Sequence, residues 1–271
     1  MTVMCDVLEV SVSGFYAWGK REPSQHSRED AQLAEKVKAT FQSHRCVYGS
    51  PRIHAELHAQ GIHCARKRVA RLMQKLELVA KRPCHRTITT KSEEGAPIAP
   101  NLLQQDFHAD QPNQKWTSDT TYIWTQEGWL YLAVVLDLFS RMVVGWAMAA
   151  TQDATLVSNA LEMALARRRP QAELLHHSDR GSTYTSASYL ALLEQNGMVP
   201  SMSRTANCYD NAVTESFFHS LKGESLDHES FQTRAQARNS TFDYIETFYN
   251  RIRRHSTLQY MSPVMYEQSM R

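Results

Sequence analysis

Three stretches, Lys115 to Trp124, Gly128 to Leu138 and Arg141 to Ala149, are crowded with β-branched and aromatic residues and parted by short breaks, the pattern of consecutive strands. In the middle one, Tyr131-Leu132-Ala133-Val134-Val135-Leu136 is apolar at every position. A strand without a polar face must be covered on both sides, so it belongs in the centre of a sheet with helices on each face. The next hundred residues supply them: Val157, Ala160, Leu161, Ala164 and Leu165 make a helical stripe ending near Pro170, Glu173 to Ser178 reads as a short strand, Ser186 to Gln195 as a helix, and Met198 to Ser201 as another strand. Asp210-Asn211 then opens a helix.

The chain before this sheet has a different character. Arg28 to His44 reads as a helix with Leu33, Val37 and Phe41 four residues apart; Ser50 and Pro51 suit the cap and first turn of a second helix, which Gly61 would end. A third, from about Ala65 to Leu76, places Val69, Leu72, Met73 and Leu76 on one stripe and Arg66, Lys67, Arg68, Arg71 and Lys75 on the others. Two helices joined by a short glycine turn, the second strongly basic, have the layout of a helix-turn-helix DNA reader. Residues 84 to 115, with Pro97, Pro100, Pro112 and Gly95, read as a linker.

Charge follows the same division. Residues 1–90 hold 15 Lys and Arg against 8 Asp and Glu, residues 101–230 hold 8 against 15, and residues 231–271 hold 6 against 3. A basic head and tail around an acidic middle fit a nucleic-acid-binding protein whose central unit gathers carboxylates. Five scattered cysteines without a Cys-x-x-Cys pair suggest neither a zinc site nor a disulfide framework. The start has no basic segment followed by an apolar run, and no stretch is apolar enough to span a membrane; a cytoplasmic, nucleoid-associated protein is expected.

Three acids fall where the layout would bring them together: Asp119 inside the first strand, Asp179 just beyond the fourth, and Glu215 within the late helix. A carboxylate among Trp, Thr and Tyr in a strand is costly without a cation or a donor. Asp137, after the apolar run, is a rival. On the late helix Asn211, Glu215 and Lys222 stand four and seven residues apart on one face, beside a packing stripe of Val213, Phe217 and Leu221. That face suits phosphodiester chemistry, a carboxylate completing a metal site and a lysine or amide meeting DNA. Three carboxylates in one cleft would repel strongly without metal and hold protons more tightly. Other motifs read as structural: His54-Ala55-Glu56-Leu57-His58 has its Glu misplaced for a zinc protease, His177-Ser178-Asp179 cannot fold back on itself as a hydrolase triad, and Arg167-Arg168-Arg169 suits a helix C-terminus.

The segments Lys115-Trp116-Thr117-Ser118-Asp119-Thr120-Thr121-Tyr122, His177-Ser178-Asp179-Arg180-Gly181-Ser182-Thr183-Tyr184 and Asn207-Cys208-Tyr209-Asp210-Asn211-Ala212-Val213-Thr214-Glu215-Ser216-Phe217 resemble the catalytic core of bacterial insertion-sequence transposases, in particular the OrfB-type subunits of the DDE, retroviral-integrase-like class. Glu215 follows Asp179 with 35 residues between, as in that class, and Lys222 falls where a basic residue is usual. The head, through Tyr48-Gly49-Ser50-Pro51-Arg52-Ile53 and Arg68-Val69-Ala70-Arg71-Leu72-Met73, and the tail, through Phe248-Tyr249-Asn250-Arg251, Arg254-His255-Ser256-Thr257-Leu258 and Ser262-Pro263, match as well. Gln259 and Ala206 depart from the pattern, each standing where Gly is common.

The resemblance implies a helical DNA-binding region over residues 1–83, a linker over 84–114, a ribonuclease-H-like α/β integrase core, a mixed sheet flanked by helices, over 115–230, and a basic helical extension over 231–271. It implies metal-dependent strand cleavage and strand transfer at insertion-sequence ends, with Asp119, Asp179 and Glu215 holding two Mg2+ ions that Mn2+ would replace, and with Arg66, Lys67, Arg68, Arg71, Lys75, Asn211 and Lys222 on DNA. The expected partners are terminal inverted repeats and target DNA, further copies of the chain assembled on DNA, and an upstream DNA-binding protein joined by frameshift, since Leu8-Glu9-Val10-Ser11-Val12-Ser13-Gly14-Phe15-Tyr16 resembles the start of a second reading frame. Two readings stay open beside it, a helix-turn-helix regulator with a degenerate catalytic domain and a ribonuclease H.

Overall fold

A computed structural model describes residues 2–81, 99–204 and 208–270. Two compact units divide it, Met1–Ala80 and Lys81–Arg271.

The first unit is helical: α1 Thr2–Val7, α2 Val12–Gly19, α3 Gln25–Ser43, α4 Ser50–Ala59 and α5 Arg66–Lys75. Ser24 caps α3 by accepting a bond from the Ser27 amide, and α3 buries Leu33, Val37, Thr40 and Phe41, one stripe at helical period. Ser50 is the first residue of α4 rather than its cap; Gly49 holds the cap position and Pro51 the first turn. Gly61, at φ +76°, lets the chain turn back after α4. Helix α5 buries Val69, Leu72 and Met73, while Leu76 is its half-buried C-cap.

The second unit is built on a five-stranded sheet of order β3-β2-β1-β4-β5. Its elements are β1 Lys115–Thr125, β2 Gly128–Asp137, β3 Val143–Ala149, α6 Ala154–Arg168, β4 Leu175–Ser178, α7 Ala187–Gln195, β5 Val199–Met202, α8 Ala212–Glu224, α9 Arg234–Phe242 and α10 Pro263–Ser269. The first three strands are antiparallel, and β4 and β5 join β1 in parallel. The sheet is mixed, and the fully apolar β2 lies inside it between β3 and β1, while the central strand is β1. Side chains alternate across a strand, so Trp116 meets α6 and α7 in a core with Ala133, Val135, Leu161 and Tyr189, while Thr117 meets α8 on the opposite face through a 2.7 Å bond to Thr214. Gly145 is required where β3 lies on α6: a Cβ there would sit 2.2 Å from the Ala160 carbonyl oxygen.

Segments expected to lie outside the core are part of it. Residues 82–98, which include Pro97 and the first part of the expected linker, lie outside the described residues, as does Ala206. From residue 99, though, the expected linker is built in: Leu103 is buried, and the amides of Leu102 and Leu103 donate to Ser201 Oγ. The expected C-terminal extension belongs to the same unit as the sheet. Asn250 bonds both backbone groups of Val143 at 3.0 Å, closing the end of edge strand β3 as another strand would. Gln259 sits at φ +52°, a backbone conformation that favours Gly.

Candidate active site

Strand β1 holds Asp119 rigidly in mid-sheet, paired in register with Val134 of β2. Asp179 follows the last residue of β4, and that strand runs parallel to β1 over Lys115–Thr117. Both carboxyls therefore come from neighbouring strands that run the same way. Glu215 projects from the first turn of α8 and is exposed. Helix α8 is fixed against β1 beside Asp119: Thr214 bonds Thr117, and the buried Asn211 donates its amide to the Ser118 carbonyl at 3.3 Å while accepting from Thr214 Oγ1 at 2.9 Å.

Asp119 has a proton affinity far above the ordinary carboxylate range. Burial is the main cause, the charge of Asp179 adds to it, the Thr120 amide opposes it, and the charge of Glu215 adds again. Asp179 is raised too, by burial, against the Gly181 amide that donates to its Oδ1 at 2.9 Å. Mutual repulsion, the cause expected from three clustered acids, comes second to desolvation. Among the described residues neither aspartate has an ion pair, and no three His, Cys, Asp or Glu side chains are gathered tightly enough to hold a metal ion.

Some of the residues expected on DNA have partners within the chain. Asn211 is buried against β1. Lys222 lies with Nζ 4.8 Å over the Tyr122 ring, its proton affinity lowered by burial against the charge of Asp227, in a pocket that none of the three acids lines. In α5, Arg68 Nε and Arg71 both reach Asp30 of α3, at 2.6 and 2.5 Å; Arg66, Lys67 and Lys75 remain exposed. The rival Asp137 is wholly buried, pairs with Arg168 at 3.0 Å and accepts the Asn113 and Phe139 amides. Arg168 also grips Glu267 of α10, so this arginine ties three segments together beyond favouring a helix end.

Comparison with known proteins agrees with this architecture. The sequence matches an Integrase core domain family over residues 109–208, a second Integrase core domain family over 215–270 and an HTH-like domain over 27–86. It is 45% identical over 265 residues, 98% of this chain and 97% of the relative, to the insertion element IS600 uncharacterized 31 kDa protein of Shigella sonnei. To Transposase InsF for insertion sequence IS3A of Escherichia coli (strain K12) it is 44% identical over 266 residues, 97% of this chain and 92% of the relative. The chain belongs to the InsF-type insertion-sequence transposases.

A simian T-cell lymphotropic virus intasome in complex with PP2A regulatory subunit B56 gamma shares the fold of this transposase, with a TM-score of 0.50 at 15% identity over 86% of this chain and 74% of that one. Reading the sequence did not single out the transposase's supporting residues. Tyr184, beyond Asp179, is buried, and its hydroxyl has no hydrogen-bond partner among the described residues; burial raises its proton affinity, and the charges of Tyr189, Asp119 and Asp179 raise it further. Beneath Asp119, His176 Nε2 lies 2.9 Å from Ser118 Oγ and 3.1 Å from the Tyr189 hydroxyl. Burial lowers its pKa to about 3, helped by His177, so it is neutral in the folded protein. The available signal was period two: Trp116, Ser118 and Thr120 share the face opposite Asp119.

Proposed function

We propose that Asp119, Asp179 and Glu215 are the metal-binding triad with which this transposase cuts and joins DNA strands at insertion-sequence ends. What supports it most is a pair of desolvated acids, Asp119 and Asp179, from neighbouring strands, with Glu215 on the exposed first turn of α8 near enough that its charge, like that of Asp179, acts on Asp119. The donor set is all oxygen, as a hard divalent cation prefers, and the Tyr184 hydroxyl, which has no partner among the described residues and feels the charges of Asp119 and Asp179, would be a donor for a hydrated ligand.

Two divalent ions, Mg2+ with Mn2+ as substitute, would there activate the attacking oxygen and stabilise the departing 3′ oxygen of an in-line displacement. The chain's part is placement. Asp119 keeps its position because β1 is paired on both sides at its start, Asp179 because Gly181 holds one carboxylate oxygen, and Glu215 because Asn211 and Thr214 anchor its helix. Since both aspartates hold protons more tightly than usual, they must release them to receive a cation, and affinity rises with pH. The helix-turn-helix-like unit grips DNA through its exposed cations. Joining two element ends requires more than one such site, so the chain works as a homo-oligomer on DNA, in the cytoplasm. No helix among the described residues is long and apolar enough to cross a membrane.

The test is Glu215→Gln, alike in shape and uncharged, on duplexes carrying the element's own ends in Mg2+, with and without the upstream reading-frame product. Strand cleavage is abolished while DNA binding stays near wild type. Cleavage at the wild-type rate removes Glu215 from the mechanism, and preferential cutting of an RNA–DNA hybrid replaces the reading with ribonuclease H.

A further inference from the structure

A cavity of about 320 Å3 opens beside Lys222, walled by Tyr122, Trp124, Trp129, Asp227 and Glu229. Trp124 and Trp129 remain 56% and 42% exposed. Their rings meet edge to face at 4.7 Å, and Tyr122 meets Trp129 in the same way at 4.9 Å. Adjoining aromatic surface left in water beside a cavity marks a place that binds something. Strand β4 pairs with β1 only as far as Thr117, and Tyr122 and Trp124 come from the stretch beyond.

The lining selects the ligand. The carboxylates of Asp227 and Glu229 repel a phosphate, but they accept bonds from exocyclic amino groups. Exposed indole and phenol rings take flat uncharged rings, and the Lys222 ammonium stands at the same opening for the backbone that carries one. We propose that this pocket receives an unpaired nucleobase of the DNA end. The inference rests on the transposase reading and adds a specific site to it.

Position agrees with that role. Tyr122 is three residues along β1 from Asp119, about 10 Å at strand rise, and its ring starts from the strand's other face, where Lys222 meets it beside the stretch of β1 that β4 leaves unpaired; Lys222 is seven residues along α8 from Glu215, about 10 Å at helical rise. A DNA strand advances about 3.4 Å per nucleotide. The base received is therefore at least about three nucleotides from the phosphate at the carboxylates, and its capture holds the strand in place on leaving the duplex.

Three duplexes test it with the full chain, without metal and at fixed salt: one with a blunt end, one with a three-nucleotide single-stranded tail, and one whose tail has the same phosphates but abasic sugars. The base-bearing tail binds about ten- to a hundred-fold more tightly than the abasic tail, the range for one base stacked on an aromatic platform. Trp124→Ala with Trp129→Ala abolishes that margin and leaves blunt-duplex binding unchanged. Equal binding of both tails by the wild type, a margin surviving in the double variant, equal weakening on all three duplexes, or a change in self-association alone overturns the proposal. If the double variant does not fold, wild-type tryptophan fluorescence decides: quenching by the base-bearing tail and not by the abasic one supports the pocket, and equal quenching rejects it. In the wild type, no margin with metal-dependent cleavage intact overturns the pocket alone; a margin without cleavage overturns the catalytic reading.

Discussion

Two groups of buried acids lie on adjoining strands and are treated in opposite ways. At the end of β2, Asp137 is saturated: Arg168 pairs with it and with Glu267, and two backbone amides complete its shell. Glu224, paired with Arg253 and bonded by Tyr244, and Asp210, bonded by Arg204, Asn101 and Gln105, follow the same rule. On β1 and after β4, Asp119 and Asp179 each have one backbone amide from a near neighbour and no cationic side chain among the described residues. Burying a carboxylate is tolerable when the protein supplies the counter-charge. Where it is withheld from two acids in one place, proton uptake offsets the burial, and the proposed cation would take the place of the protons.

The largest contrast comes from removing one charge in each group. Asp119→Asn is expected to lower strand cleavage by at least about a thousand-fold and to raise metal-free thermal stability by a few degrees, since it removes a desolvated charge. Arg168→Ala, which strands Asp137 and Glu267, should cost about 3–5 kcal/mol, on the order of 10 °C of melting temperature for a unit of this size. Melting curves with and without Mg2+ check both. If Asp119→Asn destabilises the metal-free chain as Arg168→Ala does, the two groups are not different in kind.

Gly181→Ala probes how finely the unsaturated pair is placed. A Cβ at this position lies 3.0 Å from Asp179 Oδ1, the oxygen that the Gly181 amide holds, so the carboxylate must give by a few tenths of an ångström. Displacements of about 1 Å at a reacting centre cost on the order of 100-fold. A ten- to hundred-fold fall in cleavage with little loss of stability is expected, and an unchanged rate shows that Asp179 tolerates movement.

Beneath the acids, the histidines give a smaller effect with a definite sign. The pKa values of His176 and His177 are lowered to about 3 and about 4, by burial first in each case. The unfolded chain binds protons at both near pH 6.5 and the folded chain does not, so their contribution is intact above pH 6.5 and is lost as pH falls toward 4. The slope approaches about 1.4 kcal/mol per pH unit for each histidine. The raised aspartates act oppositely: folded Asp119 and Asp179 keep protons that the unfolded chain releases, so the metal-free fold loses stability as pH rises above about 4. Denaturant titrations of wild type and His176→Gln between pH 4 and 7 should show the variant losing less stability in acid. Parallel curves would remove His176 as a source of acid sensitivity.

These contrasts also mark what a sequence conveys. Periodicity is local, so the apolar run of β2, the stripe of α3 and the positions of Asp119, Asp179 and Glu215 on their elements were legible. Pairing between distant charges is not local. Nothing near Asp137 announces Arg168, 31 residues on, and nothing near Arg68 announces Asp30, 38 residues back. Asn211 shares a helical face with Glu215, yet the sheet covers one end of that face and leaves the other exposed. The 99–114 stretch looked like a linker because its prolines lack periodicity, although Ser201 and Asp210 anchor its backbone and side chains.

The smallest effect lies in the helical unit, where the same distinction sorts the cations of α5. Arg68 and Arg71 are committed to Asp30, whose proton affinity is lowered chiefly by the Arg68 hydrogen bond, against burial and with help from Arg71. Arg66, Lys67 and Lys75 are exposed on the same helix. A cation that neutralises one phosphate releases counterions, and its removal makes the slope of log affinity against log salt shallower by about 0.9. Arg66→Ala and Lys67→Ala are therefore expected to flatten the slope by about that amount each, with stability unchanged within about 0.5 kcal/mol. Arg68→Ala should leave the slope nearly as it was while loosening the contact between α3 and α5, because its charge is already neutralised within the unit. Affinity measured on one duplex at four salt concentrations, beside a melting curve for each variant, separates the two behaviours. A flattened slope for Arg68→Ala and an unchanged one for Arg66→Ala would mean that DNA draws the arginine away from Asp30, and that saturation in the free protein does not foretell which charges meet phosphate.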